Sequence, residues 1–136
     1  MRLNDSNLEF SISDIVRHFR SPYSAWATWA NLQQPGTVYV ENDMIQHSSL
    51  LKRSEENEAD AKRFLINRFD KVKTISNPLN SLEESKKLMQ EKVDVIVQPT
   101  LKRDQFTGRA DFIILNKDIN MYEVMDAKLA KQVKPE

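Results

Sequence analysis

Near the C-terminus, Tyr122-Glu123-Val124-Met125-Asp126-Ala127-Lys128 places an acid and a lysine two residues apart. In an extended strand, Val124, Asp126 and Lys128 share one face, while Glu123, Met125 and Ala127 point to the other. Upstream, Asp111 interrupts an apolar run between Ala110 and Phe112, and a hairpin of the two runs sets it beside Asp126. A third acid comes from a helix: Leu51, Ser54, Glu58, Ala61, Leu65 and Phe69 recur at steps of three and four, which puts Glu58 on the inward stripe. A carboxylate there needs a cation, a hydrogen-bond partner or a metal, because a lone desolvated charge costs several kcal/mol. Three carboxylates and a lysine converging from three elements suit metal-assisted phosphodiester hydrolysis. Hard oxygens hold Mg²⁺ or Mn²⁺, the metal acidifies a water, and an ammonium steadies the developing charge.

Composition removes the competing chemistries. With no cysteine, the chain has no disulfide, thiolate nucleophile, thiolate zinc site or self-held iron–sulfur cluster. With only His18 and His47, a His-rich zinc site or a Ser-His-Asp triad has almost nothing to draw on. Twenty basic and twenty acidic side chains cancel, so any surface for nucleic acid must come from local segregation of charge. No apolar run approaches the ~20 residues that cross a bilayer, and Met1 to Phe10 lacks the pattern of a signal peptide. The expectation is a soluble cytoplasmic chain of one domain, since 136 residues at 40% apolar supply one core.

The elements that must position these residues follow from periodicity and caps. Ser11 and Asp14 have capping-box spacing ahead of Ile12, Ile15, Val16 and Phe19, predicting a helix from about Ser13 to Arg20. Ser21-Pro22 starts a second helix, which is expected to bury Tyr23, Trp26 and Trp29; stacking platforms for bases are the sharper reading of the two tryptophans. Asn31 to His47 reads as a loop with a short strand at Val38 to Val40. Leu50 to Phe69 is the longest helix, Val72 to Ile75 a strand, and Leu79 to Lys92 a helix. Three strand-like runs follow, Val93 to Leu101, Arg109 to Leu115 and Met121 to Leu129, whose short polar links favour an antiparallel meander. Pro99 cannot donate to a ladder, so its strand is expected to lie at an edge or to end in a bulge there. The fold class is α/β or α+β, a mixed sheet of about four strands flanked by helices.

Gly108-Arg109-Ala110-Asp111-Phe112-Ile113, followed by Tyr122 to Ala130, resembles the second and third motifs of the PD-(D/E)XK nuclease superfamily, and within it the RecB-like branch. Ile12 to Trp29 is similar to that branch's N-terminal helical segment, Ser54 to Leu65 to its first-motif helix, and Val93 to Leu101 to the strand before the second motif. The resemblance implies a restriction-endonuclease-like core at 50–136 after a helical segment and loop at 1–49. It implies that Glu58, Asp111 and Asp126 bind Mg²⁺ or Mn²⁺, that the Ala127 carbonyl is a backbone ligand, that Lys128 is the catalytic lysine, and that DNA is the substrate. Ser54 stands where relatives commonly have glycine, and Asn57 where they have histidine. The chain ends before the Gln- and Tyr-bearing helix that follows the third motif in the family. The expectation is therefore a nuclease or nuclease fragment whose open face is covered by a second copy or a separate C-terminal segment. The alternative is a degenerate nuclease-fold module that docks nucleic acid or protein. Without the flanking motifs, Asp126 and Lys128 make an ordinary ion pair worth at most ~1 kcal/mol. Arg109, His18 and His47 are assigned no role, and Glu123 faces away.

Overall fold

The computed structural model describes residues 1–4, 7–39 and 48–128, in two compact units, Met1–Met44 with Leu101–Gly108 and Ile45–Thr100 with Arg109–Glu136. The elements in chain order are β1 (Arg2–Asn4), β2 (Asn7–Ser11), α1 (Ile12–Arg20), α2 (Pro22–Gln33), α3 (Ser48–Arg68), β3 (Val72–Thr74), α4 (Ser81–Gln90), β4 (Val95–Val97), β5 (Thr100–Arg103), β6 (Phe106–Arg109), β7 (Phe112–Asn116) and β8 (Met121–Met125). They make a mixed α+β protein with two four-stranded sheets, ordered β1-β2-β6-β5 and β3-β4-β7-β8. None of the described helices is long and apolar enough to cross a membrane.

In the first unit, β2 pairs antiparallel with β1 and parallel with β6, where Phe10 and Phe106 sit 5.8 Å apart. The sequence pattern does not predict this sheet, part of which falls in the polar link between Leu101 and Arg109. Its strands are three to five residues long, and segments such as Thr100–Arg103 carry too little alternation to announce a buried face. Gly108 lies close to α1: a Cβ there would sit 3.3 Å from Ile12 Cγ1, so that side chain would have to give by a few tenths of an ångström.

The predicted capping box opens α1. Asp14 Oδ2 accepts from the Ser11 N–H at 2.8 Å and hydroxyl at 2.6 Å, while the Ser11 hydroxyl caps the Asp14 N–H. Asp14 also pairs with the Met1 ammonium and with Arg17 at 3.0 Å, and it is the buried residue of α1. Burial pushes this carboxyl up, but the Met1 ammonium and Ser11 hydrogen bonds outweigh it and hold the pKa at about 2. The folded value lies below the unfolded one, so the stabilisation is full above about pH 4 and is lost as pH falls through about 2. Asp14→Ala should cost about 2 kcal/mol at neutral pH. Urea titrations should show the difference from wild type shrinking across that acid window.

Two expectations for this unit are corrected. Tyr23, Trp26 and Trp29 are exposed, and α2 instead buries Ala25, Ala27 and Ala30. Small side chains let two short helices pack closely, and α1 and α2 are in contact. Val38 and Tyr39 are not strand. The Asn31 side chain takes both backbone groups of Val38, at 2.6 and 2.8 Å, and so replaces a ladder. Val40 and His47 lie outside the described residues.

In the second unit, β3 runs parallel to β4 across the α4 crossover, and β4, β7 and β8 are antiparallel, the expected meander. Leu65 on α3 is buried with Val95, Val97 and Phe112, and Ala61, Phe69, Val72, Ile114, Met125 and Ala127 pack around them. On alternate strand positions Ile96 and Ile113 are buried too, as is Leu88 of α4, so both sheet faces are apolar. Ser85 ties α4 to the strands: its hydroxyl donates to Ser81 O at 2.6 Å and accepts from the Thr100 N–H at 2.9 Å. The α3 stripe is followed from Glu58 to Phe69, Ser54 is exposed, and the Leu51 side chain lies outside the described residues. The run expected from Val93 to Leu101 as one strand, at an edge or ending in a bulge, instead divides at Pro99 into β4 and β5, which belong to different sheets; the missing donor ends the first ladder there.

Candidate functional site

Register assembles the site. β4 and β7 pair Val97 with Phe112, and β7 and β8 pair Phe112 with Met125. One step further, Gln98, Asp111 and Asp126 form a row across three neighbouring strand ends. The Gln98 N–H donates to Asp111 O at 2.7 Å, and the Ala110 N–H to Pro99 O at 3.1 Å, which extends the pairing past the strands. The row sits next to the buried cluster, beside Val97, Phe112 and Met125.

The last strand is shorter than expected. It stops at Met125, because the Ala127 N–H donates to Asp111 Oδ2 at 2.8 Å and leaves the ladder. Met125 and Ala127 still pack on the core while Val124 is exposed, the predicted alternation. Leu129 lies outside the described residues. Glu123 is exposed and accepts from Asn116 Nδ2 at 2.8 Å.

The two aspartates meet side chain to side chain. Asp111 is held above the ordinary carboxylate range, first by its hydrogen bond with Asp126, then by burial, then by the negative charges of Asp126 and Glu58; the Ala127 N–H opposes this. Asp126 is held low by that same hydrogen bond and by Lys128, whose ammonium pairs with it. One mutual hydrogen bond raises Asp111 and lowers Asp126, so the two carboxylates titrate together. Lys128 is exposed, and its hydrogen bond to Asp126 raises its pKa, so it stays a cation at neutral pH.

Glu58 arrives from α3, half-buried, and its Oε1 accepts from Gln98 Nε2 at 2.6 Å. Gln98 Oε1 in turn accepts from Arg109. Gln98 takes a left-handed backbone, φ 56°, which costs of order 1 kcal/mol and turns its amide toward the helix. The structure thus brings Asp111, Asp126, the Ala127 amide and Lys128 into contact, with Glu58 near enough for its charge to be felt at Asp111. Among the described residues, no three His, Cys, Asp or Glu side chains are gathered closely enough to enclose one ion. Gln98 is not singled out by the sequence, and Arg109, assigned no role there, proves to donate to Gln98. The available signal was a polar residue just before Pro99, where a strand has to end.

Two adjacent carboxylates suit a divalent ion that keeps most of its waters; Mg²⁺ is commonly bound through one or two carboxylates. Comparison with protein-family models, with curated proteins and with solved structures finds no match for this chain.

Proposed function

We propose that this protein is a divalent-metal-dependent nuclease that hydrolyses phosphodiester bonds in DNA, a PD-(D/E)XK enzyme of RecB-like type. The observation that supports it most is the pair of touching carboxylates, Asp111 and Asp126, with the Lys128 ammonium beside them at the end of one antiparallel hairpin. Mg²⁺ or Mn²⁺ bound there would acidify a water and offset phosphate charge. Asp111 and Asp126 would supply its hard oxygens, with the Ala127 carbonyl and Glu58 as the ligands that the family resemblance implies. Lys128 Nζ would hold the attacking oxygen or a phosphate oxygen as charge develops. Asp111 fixes the Ala127 peptide, and Gln98 fixes Glu58.

One observation favours the alternative of a noncatalytic docking module: Glu58 is committed to Gln98, and no three acids enclose an ion among the described residues. Cleavage of end-labelled DNA with Mn²⁺ separates the readings. Turnover that chelation stops and Asp111→Ala removes supports the enzyme, whereas its absence in folded protein supports the docking module. Metal ligands must be deprotonated, so binding at this pair competes with a proton. Because Asp111 is raised, Mn²⁺ affinity should climb as pH rises through the upper titration of the pair and level off above it, with a proton released on binding. Calorimetry in buffers of different ionisation enthalpy reads that proton directly.

A further inference from the structure

The exposed rings of α1 and α2 have no part in the site above. Phe19 is 84% exposed, Tyr23 67%, Trp26 50% and Trp29 43%. Tyr23 and Trp26 lie 5.5 Å apart at 35°, so two neighbouring ring faces are offered from one helix. Exposed aromatics of this size are rarely left open without a use.

The surrounding charge is one-sided. Between Asp14 and Glu41 there is no Asp or Glu, in a chain with twenty acids and zero net charge. Arg17, His18 and Arg20 occupy the last turn of α1. Asp14 is itself met by the Met1 ammonium as well as by Arg17. Arg20 is exposed and, among the described residues, has no hydrogen bond or ion pair. Ring faces on a stretch of chain without acids from 15 to 40, close to an arginine with no ion pair among the described residues, complement a polyanion whose bases have open π-faces.

We infer that the exposed Phe19, Tyr23, Trp26 and Trp29 of α1 and α2, with Arg17 and Arg20, form a binding site for single-stranded nucleic acid. Bases stack on the rings and the arginines meet the phosphates, so the site is indifferent to sequence. A duplex, whose bases are already stacked, is a poor ligand. The inference stands apart from the nuclease reading, because it uses none of Asp111, Asp126 or Lys128.

Trp26 and Trp29 are the two tryptophans of the chain, so tryptophan fluorescence, excited selectively over tyrosine, reports on this face alone. The test titrates the full chain, as Asp126→Ala to keep the strand intact, with oligo-dT of about 20 nucleotides and with the matching duplex. The expected result is saturable quenching by the single strand, with the duplex much weaker. Tyr23→Ala should weaken binding roughly 5- to 100-fold, the loss of one stacked base. Arg20→Ala should lower the slope of log affinity against log salt by about one, the loss of one phosphate contact. Circular dichroism confirms that each variant is folded. Absence of quenching, equal quenching by duplex, or Tyr23→Ala binding like its parent would overturn the site. So would a concentration-dependent fluorescence change without any strand, accompanied by dimer in sedimentation, which would give the face to a second copy.

Discussion

Lys128→Met should lower DNA cleavage by roughly 10²- to 10³-fold, the usual cost of one group that stabilises developing charge, while leaving Mn²⁺ binding intact or modestly tighter. The two effects diverge because Lys128 pairs with Asp126 and competes with a cation for that carboxylate. Its side chain is 78% exposed, so removing it opens no cavity and leaves an unchanged melting curve. Cleavage rates and Mn²⁺ titrations on the same preparation check this. Loss of metal binding together with cleavage would make Lys128 a structural residue.

Phe112→Ala should destabilise the second unit by about 3–5 kcal/mol, the range for truncating a buried aromatic. Phe112 is fully buried, pairs across the sheet with Val97 on one side and Met125 on the other, and packs with Leu65 of α3. It also precedes no loop that can collapse into the gap, since the ladder continues through Ile113 to Asn116. Urea unfolding followed by circular dichroism should show the loss, whereas the exposed Val124→Ala should stay within about 0.5 kcal/mol of wild type. A Phe112→Ala cost below about 1 kcal/mol would place the core elsewhere.

The second unit was largely legible because its signals are long or strongly alternating. The α3 stripe, the disturbed ladder at Pro99 and the hairpin of β7 and β8 each follow from periodicity or from a missing N–H donor. Asp111 and Asp126 could be paired from sequence for the same reason: hairpin register leaves few choices once one face is apolar. Glu58 was legible as an inward carboxylate but not as the acceptor of Gln98, because the left-handed turn that aims that amide leaves no pattern in residue types.

The first unit was less legible. Its strands are too short to alternate, and its parallel contact between β2 and β6 joins Phe10 to Phe106, 96 residues on, which no local rule anticipates. The aromatic spacing of α2 was read as a core stripe, since Tyr23, Trp26 and Trp29 recur as buried residues do. Helical spacing establishes which residues share a side, but not whether that side meets protein or solvent; the alanines decided it.

The central claim, that Asp111 and Asp126 together hold a divalent ion, is tested most directly by isothermal titration of Mn²⁺ into the wild-type protein and into Asp126→Ala. The account predicts saturable binding by the wild type, weakened more than about 10-fold by the substitution, with both proteins folded by circular dichroism. Equal binding by the two, or no binding by the folded wild type at a pH above the titration of the pair, would contradict it.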